Sequence, residues 1–401
     1  MLSTVAVRGY RSLRDVVIPL GALTVVTGSN GSGKSNLYRA LRLLAATARE
    51  GAPAALALEG GLSSALWAGP EQGGGGEGTV RRRPVRVELG FTGEDTGYAV
   101  ALGLPQRPDP TDRIAMLFAR DPEVKEESVW AGQLPRPASM LTERRGPHVR
   151  TRGDGWETLT ASARPHESML EAGADPERAP ELVRLREELR SWRLYDHLRT
   201  DPGAPARAPR PGSRTSALAD DGADLAAALA TIMDMGRSAE LQDAVEHAFP
   251  GSRLDVAAGD GLFEVLLHQP GLLRPLRAAE LSDGTLRYLM VTAALLTPRP
   301  PQLIVLNEPE QSMHVSLLPA LARMTARAAR GAQVMVVTHS TELSEELERA
   351  AADEDGDGDG DGDGEGDDDR RVVTIELTKE HGETVVVGRE GPLDGPAWRW
   401  P

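Results

Sequence analysis

Gly28-Ser29-Asn30-Gly31-Ser32-Gly33-Lys34-Ser35 has the spacing G-x-x-x-x-G-K-S, and that combination of residue types suits phosphate. Glycines let the backbone turn tightly and aim N–H groups at anionic oxygens. A helix start placed directly after them adds partial positive charge. Lys34 can reach the β- and γ-phosphates of a nucleotide, and the Ser35 hydroxyl can ligate Mg²⁺. The bland alternative is a glycine-rich turn with a chance Lys-Ser.

Three later stretches carry further chemistry. Leu281-Ser282-Asp283-Gly284-Thr285 opens a run with apolar residues at helical spacing. Ser282 or Asp283 is a good N-cap, and a helix start with a hydroxyl and a small glycine can receive an anion; a capped core helix is the plain alternative. Leu303-Ile304-Val305-Leu306 reads as a central parallel strand, followed by Asn307-Glu308-Pro309-Glu310 at its carboxyl end, where open α/β sheets bind ligands. Glu308 could accept a proton from water, as a general base does; a surface carboxylate at a strand end is the plain alternative. Val334-Met335-Val336-Val337-Thr338-His339 repeats the pattern, with a histidine after a buried strand; a hydrogen-bonded structural histidine is the plain alternative.

The elements that must position these residues are legible around them. Leu23–Thr27 is short, apolar and β-branched, a strand leading into the loop; Asn36 to Leu44 keeps Leu37, Leu41 and Leu44 on one helical face. Residues 3–8 and 15–20 read as two strands about a Gly-Tyr-Arg-Ser turn. Residues 85–89 and 98–102 read as an antiparallel pair. Short strands are predicted at 128–130 and 156–159, a helix over 181–198, and helices over 224–232 and 239–249. A strand is predicted at 262–267, and a hairpin at 372–377 and 384–388. Gly73 to Gly78 is a loop, and no heptad run long enough for a coiled-coil arm is present.

Composition narrows the class. Cysteine is absent, which excludes disulfides and thiolate metal sites. No apolar run approaches the roughly 18 residues of a membrane span and no leader precedes the first strand, so a soluble, cytoplasmic protein without a membrane partner is expected. The net charge of −15 is concentrated: Asp353 to Asp369 holds eleven acids, and the remainder carries −4. That tract reads as a self-repelling linker. Its Asp355, Asp357, Asp359 and Gly360 fit half of a calcium loop, but position twelve is Gly366. Arginines cluster at Arg81–Arg83, at Arg144, Arg145, Arg150 and Arg152, and at Arg184, Arg186, Arg190 and Arg193; residues 135–215 carry a net +3. A salt-bridged face is the first reading and a DNA track the second.

The order and character of the four motifs resemble the ATP-binding-cassette ATPase heads of the RecF, SMC and OLD group, and among them stand-alone RecF-like AAA-family ATPases. Gly9-Tyr10-Arg11-Ser12-Leu13 and Trp192-Arg193-Leu194-Tyr195-Asp196-His197 add to the likeness. The resemblance implies an α/β P-loop NTPase: a mixed or parallel central sheet, an antiparallel β subdomain and a helical insertion. It places one half of the head at 1–102, an insertion at 103–261, the other half at 262–350, an acidic linker at 351–370 and a completing hairpin at 371–401. It implies ATP and Mg²⁺ bound by Gly28, Ser29, Asn30, Gly31, Ser32, Gly33, Lys34, Ser35 and Asn36, with Ser282, Asp283 and Gly284 contacting the nucleotide of a second copy. Ser35 and Asn307 would hold the metal, Glu308 would be the base, Lys34 would stabilise phosphate charge, and His339 would sense the γ-phosphate. Two departures stand out. Asn307 occupies a position where the group often has Asp, and the Mg²⁺-contacting Gln is open among Gln72, Gln106 and Gln269. Only 61 residues follow Ser340, so the Toprim nuclease domain of OLD proteins is not expected. The implied function is ATP hydrolysis with ATP-dependent dimerisation in DNA repair or defence. A low-turnover switch for a separate effector and an ATP-gated DNA clamp are the alternatives.

Overall fold

Strands buried nearly throughout, as Thr96–Gly103 is, and alternating ones toward the far edge, as His148–Arg152 is, organise the first part of the chain into an antiparallel sheet. In the computed structural model, which describes residues 1–49, 51–69, 86–105, 111–356, 372–389 and 395–401, eight strands pair in the order Leu13–Pro19, Leu2–Tyr10, Arg86–Gly93, Thr96–Gly103, Glu123–Ala131, Met140–Arg145, His148–Arg152 and Trp156–Thr160. The sheet belongs to one of two units, made of Met1–Leu20, Gly28–Trp192 and Ile375–Pro401. The helices Lys34–Ala46 and Pro180–Ser191 bury Leu37, Leu41, Leu44, Leu182, Leu185 and Leu189 in the same unit. Trp192 closes that core, its ring 5.4 Å from Phe91. The expected boundary after residue 102 falls between paired strands, because Thr96–Gly103 hydrogen-bonds with Glu123–Ala131. Past residue 102 the strands Glu123–Ala131, Met140–Arg145, His148–Arg152 and Trp156–Thr160 continue this sheet.

The second unit comprises Gly21–Thr27 and Arg193–Thr374. Its centre is four parallel strands in the order Arg193–Tyr195, Leu303–Asn307, Gln333–Val337 and Leu23–Gly28. These are apolar runs covered on both faces, as parallel strands require. The helix Asp283–Leu295 has nearly every residue buried, and Leu318–Ala328, Leu225–Ile232 and Ser238–Ala248 share its core. A small antiparallel sheet joins Arg253–Gly259 with Leu262–His268. The expected boundary at 261/262 therefore lies in the turn of a hairpin.

Two sequence expectations shift here. The helix predicted to Leu198 stops at Ser191: Trp192 takes an extended backbone (φ −52°, ψ 138°), and Arg193–Tyr195 becomes a strand paired with Ile304–Leu306. Its apolar spacing served both periods, and the open edge of the parallel sheet decided between them. At the other end, the helix Thr341–Gly356 runs into the stretch assigned to the acidic linker. The calcium-like frame from Asp357 on, the Gly73–Gly78 loop, Arg81–Arg83, Gln72 and Gln106 lie outside the described residues. The C-terminal hairpin forms as Val372–Glu380 and Glu383–Val386. Among the described residues no helix is long and apolar enough to cross a membrane.

Candidate active site

The phosphate-binding loop sits in the first unit. The strand Leu23–Gly28 ends at its first glycine and the helix begins at Lys34. Gly31 (φ 82°) and Gly33 (φ 111°) take left-handed backbone that favours glycine. Gly33 also has no room for a side chain, since a Cβ there would lie 2.0 Å from Thr384 Oγ1. Thr384, on the C-terminal hairpin, donates to the Ser32 carbonyl (2.8 Å) and lies 2.7 Å from Ser12 Oγ. Asn36 Nδ2 donates to the same Ser12 oxygen at 2.8 Å. Loop, first turn and hairpin are thereby tied together. The helix start has no side-chain cap, and the Ser32 hydroxyl is buried without a partner. Uncapped first-turn N–H groups in a glycine nest are suited to phosphate oxygens. Lys34 Nζ donates to the carbonyls of Gly28 and Ser29 (the latter 3.1 Å), while Ser29, Asn30, Gly31 and Ser35 are exposed.

Asn307, Glu308 and His339 lie in the second unit, at the carboxyl ends of adjacent parallel strands. Glu308 has φ +48°, left-handed backbone that is uncommon for a residue with a Cβ and costs on the order of 1 kcal/mol. Its N–H donates to the Val337 carbonyl at 2.7 Å, which holds the turn. His339 Nδ1 is 3.6 Å from Glu308 Oε1 and 3.9 Å from Glu310 Oε1. Glu310 is buried, accepts from Thr338 Oγ1, and leaves Oε2 without a partner. Burial raises its pKa against that hydrogen bond. The sequence reading gave Glu310 no role. Its signal was the second acid of the Asn-Glu-Pro-Glu run, but its burial depends on the turn.

Ser282 caps the helix Asp283–Leu295, accepting from Thr285 N at 3.1 Å. Gly284 is a close-approach position: a Cβ would lie 2.4 Å from the Ser312 carbonyl, in the loop after Glu310. Arg207 ties this tip down by donating to the Leu281 carbonyl (2.7 Å) and to Asp283 Oδ1 (2.6 Å). Four residues on, Arg287 is buried and its pKa is lowered by desolvation, against the charges of Glu310, Asp283 and Glu308. So the structure groups Ser282, Asp283 and Gly284 with Asn307, Glu308 and His339 in one unit, and Gly28 to Asn36 in the other. Gln269 follows the strand Leu262–His268 in the small antiparallel sheet. The neighbouring strand end supplies Asp196, which accepts from Asn307 Nδ2 at 2.8 Å.

Residues 23–345 match the family described as AAA domain, putative AbiEii toxin, Type IV TA system. The chain belongs to that family. The fold agrees. A structure titled as the SmcHead bound to the C-winged helix domain of ScpA superposes with a TM-score of 0.51, covering 96% of this chain and 97% of that one at 14% identity. An Smc head domain with an extended coiled coil, bound to the C-terminal domain of ScpA from Pyrococcus furiosus, gives 0.50, with 96% and 95% covered at 13% identity. An OLD nuclease of Thermus scotoductus is 43% identical over 44 residues, 11% of this chain and 8% of that protein's length. This AAA-family protein therefore has the P-loop fold of ABC-type RecF/SMC-like ATPases.

The arginine clusters separate on inspection. Arg144 is fully buried against Glu127, so it is no part of a DNA track. Arg184 pairs with Asp95 and Arg190 with Glu187. Arg193 belongs to a strand, not to the helix. Arg184, Arg186 and Arg190 thus stand in surface ion pairs, whereas Arg144 does not reach the surface.

Proposed function

We propose that this protein binds and hydrolyses ATP, that ATP draws two copies together, and that the cycle serves DNA repair or defence against foreign DNA. The observation that carries the ATP reading is the loop Gly28–Lys34: left-handed glycines, an uncapped helix start and a lysine folded onto the loop's own carbonyls. Phosphate oxygens would replace those carbonyls as the acceptors of Lys34. The Ser35 hydroxyl and the Asn307 amide oxygen would hold Mg²⁺, both being hard oxygen donors that suit it. When bound, the ion neutralises phosphate charge. Glu308, fixed by its strained backbone, takes the proton from the attacking water, and His339, whose Nδ1 lies 3.6 Å from that carboxylate, senses the γ-phosphate. Ser282, Asp283 and Gly284 would meet the nucleotide of the second copy, their tip held by Arg207. The defence reading is in keeping with the putative toxin of the family's description, and the DNA reading with the name of the OLD nuclease matched over 44 residues.

A second reading, a low-turnover switch for a separate effector, is favoured by Asn307, whose neutral amide brings no charge to the metal. The test is Glu308→Gln. Phosphate release should fall about 10²–10⁴-fold with nucleotide binding retained, and light scattering should show a dimer with ATP and a monomer without. A wild-type protein that binds Mg-ATP and releases no phosphate would favour the switch. Absence of an ATP-dependent dimer in the variant would refute the dimer.

A further inference from the structure

Asn307 ends the strand Leu303–Asn307, and Asp196 follows the strand Arg193–Tyr195 directly. The two strands run parallel in the register Tyr195↔Leu306, so the next residue of each, Asp196 and Asn307, emerges side by side at the carboxyl edge. Their side chains meet at 2.8 Å, Nδ2 to Oδ1. The carboxylate of Asp196 is largely buried, 18% exposed, and its second oxygen lies 3.3 Å from His197 Nε2. An ionised carboxylate only accepts. The amide of Asn307 must therefore turn its NH₂ group toward Asp196, whichever way it would otherwise rest. That leaves Oδ1, the one side-chain atom of Asn307 able to ligate a hard cation, directed away from Asp196.

We propose that Asp196 is the positioning residue of the metal site: it fixes the Asn307 amide with its oxygen free and supplies, one residue removed, the negative charge that Asn307 lacks. The proposal rests on the reading above that Asn307 faces Mg²⁺. It makes the Asp196–Asn307 pair a divided equivalent of a single carboxylate, with charge on one strand and ligating oxygen on the next. It also accounts for an asparagine at this position without loss of metal binding. Ligand-orienting partners of this kind are worth about 10–100-fold in metal affinity.

The experiment measures the Mg²⁺ concentration that half-saturates binding of a fluorescent ATP analogue to the full-length protein, with no turnover required. Asp196→Asn, which keeps the shape and removes the charge, should raise that concentration about tenfold or more, with little change in the weak binding seen in EDTA. The exchanged pair, Asp196→Asn with Asn307→Asp, reverses the hydrogen bond and restores the charge, and should return to within about threefold of wild type on the same scale. Thermal unfolding without nucleotide checks that both variants fold. If Asp196→Asn is unstable, the exchanged pair alone decides. An unchanged Mg²⁺ requirement in Asp196→Asn, or an exchanged pair as defective as the single variant, overturns the proposal. Wild-type protein whose nucleotide binding is indifferent to Mg²⁺, or to Lys34→Ala, overturns the underlying site reading with it.

Discussion

Among the described residues Arg144 is the largest fully buried charged side chain, and replacing it gives a worked test of what its cluster does. Both Arg144 and Glu127 have no exposed side-chain surface. Arg144 donates to the carbonyls of Gly146 (2.8 Å), Arg164 (2.8 Å) and Glu167, and reaches Glu127 at 3.5 Å. Glu127 also accepts from Ser168 Oγ (2.6 Å), Met169 N (2.6 Å) and Tyr98 OH (2.7 Å). In Arg144→Met the volume is roughly kept, but a buried carboxylate loses its cation and three carbonyls lose a donor. Breaking such a pair costs about 3–5 kcal/mol, which for a unit of this size is about 6–20 °C in Tm by calorimetry. The loss should depend on pH. Burial already raises the pKa of Glu127, with Arg144 acting against it. Without the arginine the folded value rises further, so stability is retained in acid and falls as pH climbs through that raised value. The variant should therefore lie nearer wild type at low pH than at neutral pH. Adding Glu127→Gln removes the stranded charge and should recover part of the loss. A change below about 1 kcal/mol, or a deficit that grows in acid, would refute the reasoning; so would a DNA-binding defect in a variant of unchanged stability, because Arg144 would then be at the surface.

Two more expectations follow from the site. Thr384→Val removes the hairpin's hydrogen bonds to the Ser32 carbonyl of the loop and to Ser12 Oγ, at about 1 kcal/mol each. ATP affinity by titration calorimetry should fall roughly tenfold, Thr384→Ser should restore it, and equal affinities in all three proteins would show that the clasp does not shape the loop. Glu310 carries a pKa raised by burial above the ordinary glutamate value. A carboxyl raised in the folded state favours folding below its ordinary value and loses that contribution as pH rises through the raised one. Glu310→Gln keeps an acceptor for Thr338 and cannot ionise, so its Tm should fall less between acid and neutral pH than that of wild type. Parallel Tm profiles would show that Glu310 does not set this dependence.

Most of the site was legible because it is local. The glycine loop, the serine cap of the Asp283–Leu295 helix and the two acid- and histidine-tipped strands each lie within a few consecutive residues, and the structure forms each where the spacing placed it. What was hidden depends on pairing between distant segments. Asp196 looked like part of a helix because Leu182, Leu185, Leu189, Trp192 and Tyr195 keep helical steps; only the open edge beside Leu303–Asn307 turns the last of these into a strand and sets Asp196 next to Asn307. Thr384 lies 352 residues from the Ser32 carbonyl that it binds, beyond any local pattern. The strands Met140–Arg145 and His148–Arg152 were hidden by charge: their arginines read as a surface, yet one of them is the buried partner of Glu127. The same logic bears on Asn307. Under the proposal above, the negative charge that Asn307 lacks stands one side chain away, on Asp196. The proposed division of charge and ligating oxygen joins two residues 111 apart in sequence, and the exchanged pair Asp196→Asn with Asn307→Asp tests that division through the Mg²⁺ requirement of nucleotide binding.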